Sequence, residues 1–396
     1  MADQLTYVLV NPYTLRKSRT GGILSRLLTR TALDLVAARL FAPGRELVSE
    51  YAATLRNFDR ASDSHSNRIR RLIHDYVLTN YAPDPVSGQR HRVLMLLLRG
   101  ENAIIKAREC VGDVSYRSVT GETIRDTYGD YIVEKDGRVR HFEPAVLSPQ
   151  SEENVEAKLR IWSKYSERDG GLLNNVLPYK RTPQTQRTLV IIKPDNFTFP
   201  SGKPGNVMDM FSKTGLYIVA FKVNRMSVAQ AEQFYAPIRP VLRKKFREFS
   251  GERAHVALAR EFGFSLPQAA VGSLGNLVGP LYAEAQFEEI VKFMSGRKTG
   301  ECTPSERKKP GTEKSLVIVY EGENAVAKVR AVLGPTDPRK APPGSIRREF
   351  GQSIMVNAAH ASDSPQNAKR EMKIVNIAEN NLKKTIDGFY SRRSQR

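Results

Sequence analysis

Cysteine is nearly absent from this chain. Cys110 and Cys302 are the only two among 396 residues, too few for a disulfide framework and without metal-ligand spacing, which points to a reducing, cytoplasmic setting. Long apolar runs are missing too. Nothing approaches the run of about twenty residues that a membrane helix needs, so no membrane partner is expected. The opening MADQLTYVLVNP has no basic segment ahead of an apolar one and does not read as a secretory signal. Acidic residues are in deficit: 42 Asp and Glu face 62 Lys and Arg, for a formal net charge of +20. Such an excess suits a polyphosphate-binding enzyme, a nucleic-acid binder or a ribosome-associated protein, and equally a generically basic soluble protein. Charge alone does not separate them. What is present is ordinary for a folded chain, 40% hydrophobic and 26% charged, and long enough for two or three domains.

The sequence is built twice. Gly100-Glu101-Asn102-Ala103 recurs 222 residues later as Gly322-Glu323-Asn324-Ala325, and the match runs on without a gap, ENAIIKARECVG against ENAVAKVRAVLG. At the same offset Ile124-Arg125 falls on Ile346-Arg347 and Gly129 on Gly351. Ser148-Pro149-Gln150 then matches Ser364-Pro365-Gln366 at an offset of 216, a difference assigned to a longer hairpin in the first copy around Lys135-Asp136-Gly137. Near the two starts, TYVLVNP faces TLVIIKP.

Short β-branched apolar runs predict strands at TLVIIKP, LYIVAFKVNRM, SLVIVYEG and SIMVNA. Helices are expected over Gly205–Thr214, closed by Gly215; after Ser227 as N-cap; over the ENAVAKVRAVLG segment; and over Pro365–Glu379, capped by Asp363 or Ser364. This order predicts α+β architecture: two ferredoxin-like α/β sandwich domains with antiparallel sheets. The expected boundaries are a first domain at 1–178, a linker at 179–187, a second domain at 188–380 and a basic tail at 381–396. Two insertions interrupt the second copy, 239–282 with one or two extra helices and 296–312 as a polar, mobile loop.

Chemistry concentrates in Asn357-Ala358-Ala359-His360-Ala361-Ser362-Asp363-Ser364, which follows an apolar run. A histidine at a strand end followed by small hydroxyl residues can meet a ligand in one tautomer; a lone histidine is more often a structural one. This segment resembles the active-site pattern of nucleoside diphosphate kinases. Other landmarks of that family occur in order: Ile192-Lys193-Pro194-Asp195, Phe234-Tyr235, Arg330, Gly334-Pro335-Thr336-Asp337-Pro338, Pro343-Gly344-Ser345-Ile346-Arg347, and Glu371. The resemblance covers nearly all of 188–371 outside the insertions.

The resemblance implies transfer of a γ-phosphoryl group from ATP or another nucleoside triphosphate to a nucleoside diphosphate, by a ping-pong route with His360 as the phosphate-accepting nucleophile and Mg²⁺ carried on the nucleotide phosphates. It implies Glu371 orienting the histidine with support from Ser362, Lys193 beside the transferred group, and Arg330, Thr336 and Arg347 gripping the phosphates. Tyr235 and Asn357 complete the nucleotide contacts, Asn357 toward the sugar. Singly, each of these residues also fits a solvated basic face, a helix surface or a strand end. Two departures stand out: Gln286-Phe287 occupies the place of a phenylalanine pair whose first ring stacks on the base, and Glu284 the place of an arginine. In the first copy, Asn11 aligns with Lys193, Pro144 with His360 and His141 with Asn357, while Arg108 and Arg125 match Arg330 and Arg347. Residues 1–178 therefore read as a degenerate, non-catalytic copy, with phosphorylation of His141 from a shifted position as the alternative. The duplication suggests intramolecular pairing of the domains, with a homo-oligomer as the other arrangement. The rival function is a nucleotide-sensing or nucleic-acid-binding scaffold with little turnover, favoured by the charge and the departures.

Overall fold

The computed structural model describes residues 3–56, 64–114, 120–152 and 155–393. They form two compact units, Met1–Val223 with Ser315–Arg396, and Asn224–Lys314. The first unit holds the sheets of both copies of the repeat. Its strands are β1 (Asp3–Val10), β2 (Asp34–Phe41), β3 (Val93–Glu101), β4 (Asp130–Val133), β5 (Val139–Glu143), β6 (Val146–Leu147), β7 (Thr185–Ile192), β8 (Tyr217–Asn224), β9 (Ser315–Glu323) and β10 (Ala359–Ala361). One four-stranded sheet has the order β2-β3-β1-β6 and the other β10-β7-β9-β8. Each reads second, third, first, fourth, which is the ferredoxin-like order. The pairings of β1 with β3 and β6, and of β7 with β9 and β10, are antiparallel.

The duplication is visible rung by rung. β1 pairs with β3 from Asp3↔Glu101 to Val10↔Leu94, and β7 with β9 from Thr185↔Glu323 to Ile192↔Leu316. The Gly-Glu-Asn-Ala repeat has a backbone reason: Asn102 and Asn324 both sit at φ 54° and open helices Ala103–Val111 and Ala325–Leu333. Asparagine tolerates that left-handed conformation better than most residues with a side chain. The hairpin expected around Asp136 is β4–β5.

The same ladder corrects the alignment of the two active-site segments. Because Val10 is the counterpart of Ile192, the pairings Val10↔Val146 and Ile192↔Ala359 make Val146 equivalent to Ala359. Leu147 therefore stands where the second copy has His360, and Pro144 where it has Asn357. Backbone bonds agree: Asn11 N donates to Ala145 O at 3.1 Å as Lys193 N donates to Ala358 O at 2.9 Å. The Ser-Pro-Gln match was a similarity of turn-forming residues. Ser364 caps helix Pro365–Ile374, whereas the first copy's helix starts later, at Val155.

Other expectations shift as well. The fourth strand of the second copy is Ala359–Ala361, not the SIMVNA run before it, and the final helix of the motif ends at Ile374. The strand expected from Thr188 begins at Thr185, inside the supposed linker. The supposed basic tail is helix Asn381–Arg393 over its described part, and its Leu382, Ile386 and Tyr390 join the buried core of the first copy. There Trp162 is packed edge-on against Phe41, Tyr51 and Tyr81, at 4.9, 5.3 and 6.4 Å between ring centroids. The charged residues of the tail hid an apolar face spaced at four residues.

The two copies pack on each other within this unit. Helices Thr20–Thr31 and Lys203–Met210 touch backbone to backbone, so that a Cβ on Gly21 would lie 2.6 Å from Gly205 O and one on Gly205 2.3 Å from Gly21 O. Arg92 Nη1 donates to Ile218 O at 2.7 Å and Leu173 N to Val219 O at 2.8 Å.

The second unit is mostly the first insertion. After helix Val228–Tyr235, opened by a capping box of Ser227 and Gln230, two long helices form a hairpin, Ile238–Phe262 and Gln268–Ser295. The second insertion is not an open loop. It carries turns at Thr299–Glu301 and Glu306–Lys308, held by the ion pairs Arg297–Glu306 at 3.3 Å and Lys298–Glu289 at 2.5 Å.

Candidate active site

β10 places His360 beside Ile191 of β7, and helix Pro365–Ile374 brings Glu371 onto the imidazole. His360 Nε2 lies 2.9 Å from Glu371 Oε2. The same carboxylate oxygen accepts from Ser362 Oγ at 2.6 Å, and Arg370 Nη2 stands 3.5 Å from the other oxygen. Glu371 is buried, while the His360 side chain keeps 22% of its surface exposed. Facing a carboxylate that accepts, a neutral ring would donate from Nε2 and keep its lone pair on Nδ1.

A second cluster adjoins the first along the chain. Lys193, just past the end of β7, donates from Nζ to Met355 O at 2.5 Å and to Asn357 Oδ1 at 2.9 Å. Asn357 in turn donates from Nδ2 to Thr336 O at 3.0 Å and Ile354 O at 2.8 Å. Both of its N–H groups are thus spoken for, and a sugar hydroxyl would have to approach Oδ1. Burial pushes the Lys193 ammonium down to about 8, with Asp195 opposing the shift and the Arg347 charge adding to it. Arg347 spans from Gly334 O at 3.0 Å to Ala359 O at 3.2 Å.

Asp195 carries no role in the family resemblance. Its Oδ2 accepts from Ala358 N at 3.2 Å, and Ala358 holds φ at 67°, an unusual value for alanine. Asp195 thereby braces the turn that presents His360; its place beside Lys193-Pro194 was the only signal. Arg330 is exposed near Asp363, whose carboxyl is held below its ordinary range chiefly by Asn367 and in part by the Arg330 charge. Thr336 is exposed and meets Asn357 through its carbonyl. Tyr235 belongs to the other unit, buried at the end of helix Val228–Tyr235 with its ring against Phe234. In that unit Phe287 is fully buried under Arg239, 4.0 Å above the ring, so its face is already covered.

The corresponding place in the first copy is closed by a polar network. Asn11 Nδ2 donates to Glu143 Oε1 at 3.1 Å, Tyr81 OH to Asn11 Oδ1 at 2.7 Å, and Tyr76 OH to Glu143 Oε2 at 2.6 Å. Burial raises both Tyr76 and Glu143 above their ordinary ranges. Arg125 repeats the Arg347 brace, to Gly112 O at 2.5 Å and Val146 O at 3.2 Å, but is itself buried. That conserved geometry makes the arginine match a structural inheritance in the first copy. His141 lies on β5, 3.8 Å from Asp130, and is not the counterpart of His360.

The Lys193 environment makes a stability prediction. Its folded value of about 8 lies below the ordinary 10.5, so the buried charge opposes folding fully below pH 8, and the opposition fades as pH rises from 8 to 10.5. Denaturant midpoints of the wild type and Lys193→Met should therefore shift in favour of the wild type between pH 7 and pH 10. A constant difference would mean that Lys193 is not desolvated.

A family model described as nucleoside diphosphate kinase matches residues 186–261 and 307–380. The chain is 33% identical over 187 residues to a nucleoside diphosphate kinase of Campylobacter hominis, covering 47% of this chain and 92% of that protein. It is 29% identical over 191 residues to one of Staphylothermus marinus, covering 48% and 92%. Among solved structures it is similar to the Aquifex aeolicus nucleoside diphosphate kinase, with 28% identity, 48% and 94% coverage and a TM-score of 0.30. An NDP kinase from Pyrobaculum aerophilum gives 29% identity, 48% and 94% coverage and a TM-score of 0.31.

Proposed function

The chain belongs to the nucleoside diphosphate kinase family, and on that premise we propose that its second copy carries the γ-phosphoryl group of a nucleoside triphosphate to a nucleoside diphosphate through phospho-His360. The observation that supports this most is the Ser362–Glu371–His360 arrangement, with both donors on one buried carboxylate oxygen. Nδ1 attacks the γ-phosphorus, the bond to the bridging oxygen breaks, and the diphosphate leaves with that electron pair. The ring becomes a phosphorylated imidazolium whose Nε2–H points at Glu371, so its positive charge develops against a fixed negative one. In the return step a β-phosphate oxygen of the acceptor attacks, the N–P bond breaks and neutral imidazole is restored.

The other groups meet anionic phosphates. Lys193 supplies a compact charge, and phosphate oxygens nearby would favour its protonated form over the neutral one that burial promotes. Arg330, Arg347 and Thr336 are assigned to the diphosphate and Asn357 to the sugar. Among the described residues no group of three or more His, Cys, Asp or Glu side chains is placed to hold a metal. Mg²⁺ is assigned to the nucleotide, where it neutralises charge between the phosphates.

Incubation with γ-labelled ATP should give an acid-labile, alkali-stable label, and a chase with GDP should move it to GTP. A folded protein that takes up no label would sink the proposal and leave the scaffold reading. Glu371→Gln keeps the shape but removes the negative charge, and should slow phosphoenzyme formation on the order of 10²-fold in single turnover. An unchanged rate would show that the carboxylate does not act on the ring.

A further inference from the structure

The helical hairpin of the second unit has an outer surface that phosphoryl transfer leaves unused. Thirteen large hydrophobic side chains are exposed among the described residues, and seven of them lie between Val241 and Leu281. On helix Ile238–Phe262, exposed Phe249 and Val256 alternate with exposed Lys245, Arg253 and Arg260. From Gly263 to Ala283 there is no charged residue at all. Within that stretch Ala270, Leu274, Leu277 and Leu281 follow one another at spacings of four, three and four, one stripe of a helix. Leu277 and Leu281 are each 69% exposed. At the turn between the helices Phe262 and Phe264 stand in solvent, 6.5 Å apart.

Leu, Val and Phe side chains are favoured out of water, so a concentration of exposed ones on one element marks an interaction surface. The inner faces of the two helices are already used, with the Gly275 position against Arg247 O leaving no room for a Cβ. Charge and side-chain type then select the occupant. Phe249, Phe262 and Phe264 could stack on bases, but the other four exposed side chains, Val241, Val256, Leu277 and Leu281, have no ring to do so, and the uncharged stretch offers nothing to phosphodiesters, which argues against a polynucleotide. A second copy of the chain would bring one +20 charge against another. A bilayer surface rich in anionic lipid takes both halves of the pattern, the Phe, Leu and Val side chains at the acyl boundary and the Lys and Arg side chains at the headgroups.

We propose that the hairpin 238–283 docks this protein on anionic membrane surfaces, lying at the interface. No helix among the described residues is long and apolar enough to cross a membrane. The expectation of no membrane partner rested on span length, which does not bear on a helix pair at the surface.

The test uses the full chain with vesicles of phosphatidylcholine alone or mixed with phosphatidylserine. The protein should sediment with the mixed vesicles, weakly with the neutral ones, and less as salt rises. Phe264→Trp should shift its emission to the blue on mixed vesicles, against a constant signal from buried Trp162. Phe262→Ser with Phe264→Ser, and separately Lys244→Glu with Lys245→Glu, should each weaken vesicle binding on the order of tenfold while helical circular dichroism is retained. Absence of binding to either vesicle, or binding insensitive to both pairs, overturns the proposal. So does capture of single-stranded RNA with vesicles ignored, or a dimer lost in Leu277→Asp with no vesicle binding.

Discussion

His360→Ala is expected to abolish the acid-labile label and to lower nucleotide exchange on the order of 10⁴-fold or more. The reaction as proposed runs through one covalent intermediate, and without the ring there is no atom to carry it. The first copy offers no substitute, because Leu147 occupies the equivalent rung of the sheet. The fold should be little affected. His360 is partly exposed, and Glu371 keeps Ser362 and Arg370 as partners when the imidazole is gone. Unfolding in urea should therefore change by no more than about 1–2 kcal/mol, which separates loss of chemistry from loss of structure. A label that survives the substitution would move the reaction elsewhere, and peptide mapping at His141 would then be the next measurement.

Ending the chain after Asn380 should unfold the first copy. The removed helix contributes Leu382 and Ile386, both fully buried, and Tyr390, 5% exposed, to the cluster around Trp162. At about 1.5–3 kcal/mol for each side chain the loss is roughly 4.5–9 kcal/mol, comparable to the whole stability of a domain. Asn381 Nδ2, which donates to Val223 O at 2.6 Å, goes with it. The milder variants Leu382→Ala and Ile386→Ala should each lower the urea-derived stability by about 2–4 kcal/mol. A truncated chain with an unaltered midpoint would show that the helix is not part of that core.

The surroundings of His360 were legible because their signals are local. Lys193-Pro194-Asp195 and Asn357–Ser364 are contiguous runs, and the helical spacing that carries Glu371 back to His360 is short. The layout of the sheets followed from apolar runs and from the Gly-Glu-Asn-Ala repeat, which the left-handed Asn102 and Asn324 explain. What escaped depends on contacts between distant segments. The register that sets Leu147 opposite Leu9 is fixed by backbone hydrogen bonds that no tripeptide match encodes. The apolar face of Asn381–Arg393 is diluted by lysines and arginines, so the segment looked like a tail until its partner core was known. The carboxylate of Asp195 acts on Ala358, 163 residues away, through a backbone N–H that leaves no mark in side-chain pattern.

That C-terminal helix also sets a timetable. The ribosome releases the first copy long before the residues that complete its interior, since Tyr390 lies more than two hundred positions beyond the end of helix Val155–Asp169. At roughly 5–20 residues per second, the nascent domain waits on the order of ten to forty seconds with an apolar hollow open. During that interval the second copy is being made. A segment made after the second copy closes the copy made before it, so a chain broken off ahead of Leu382 leaves the first copy without part of its core.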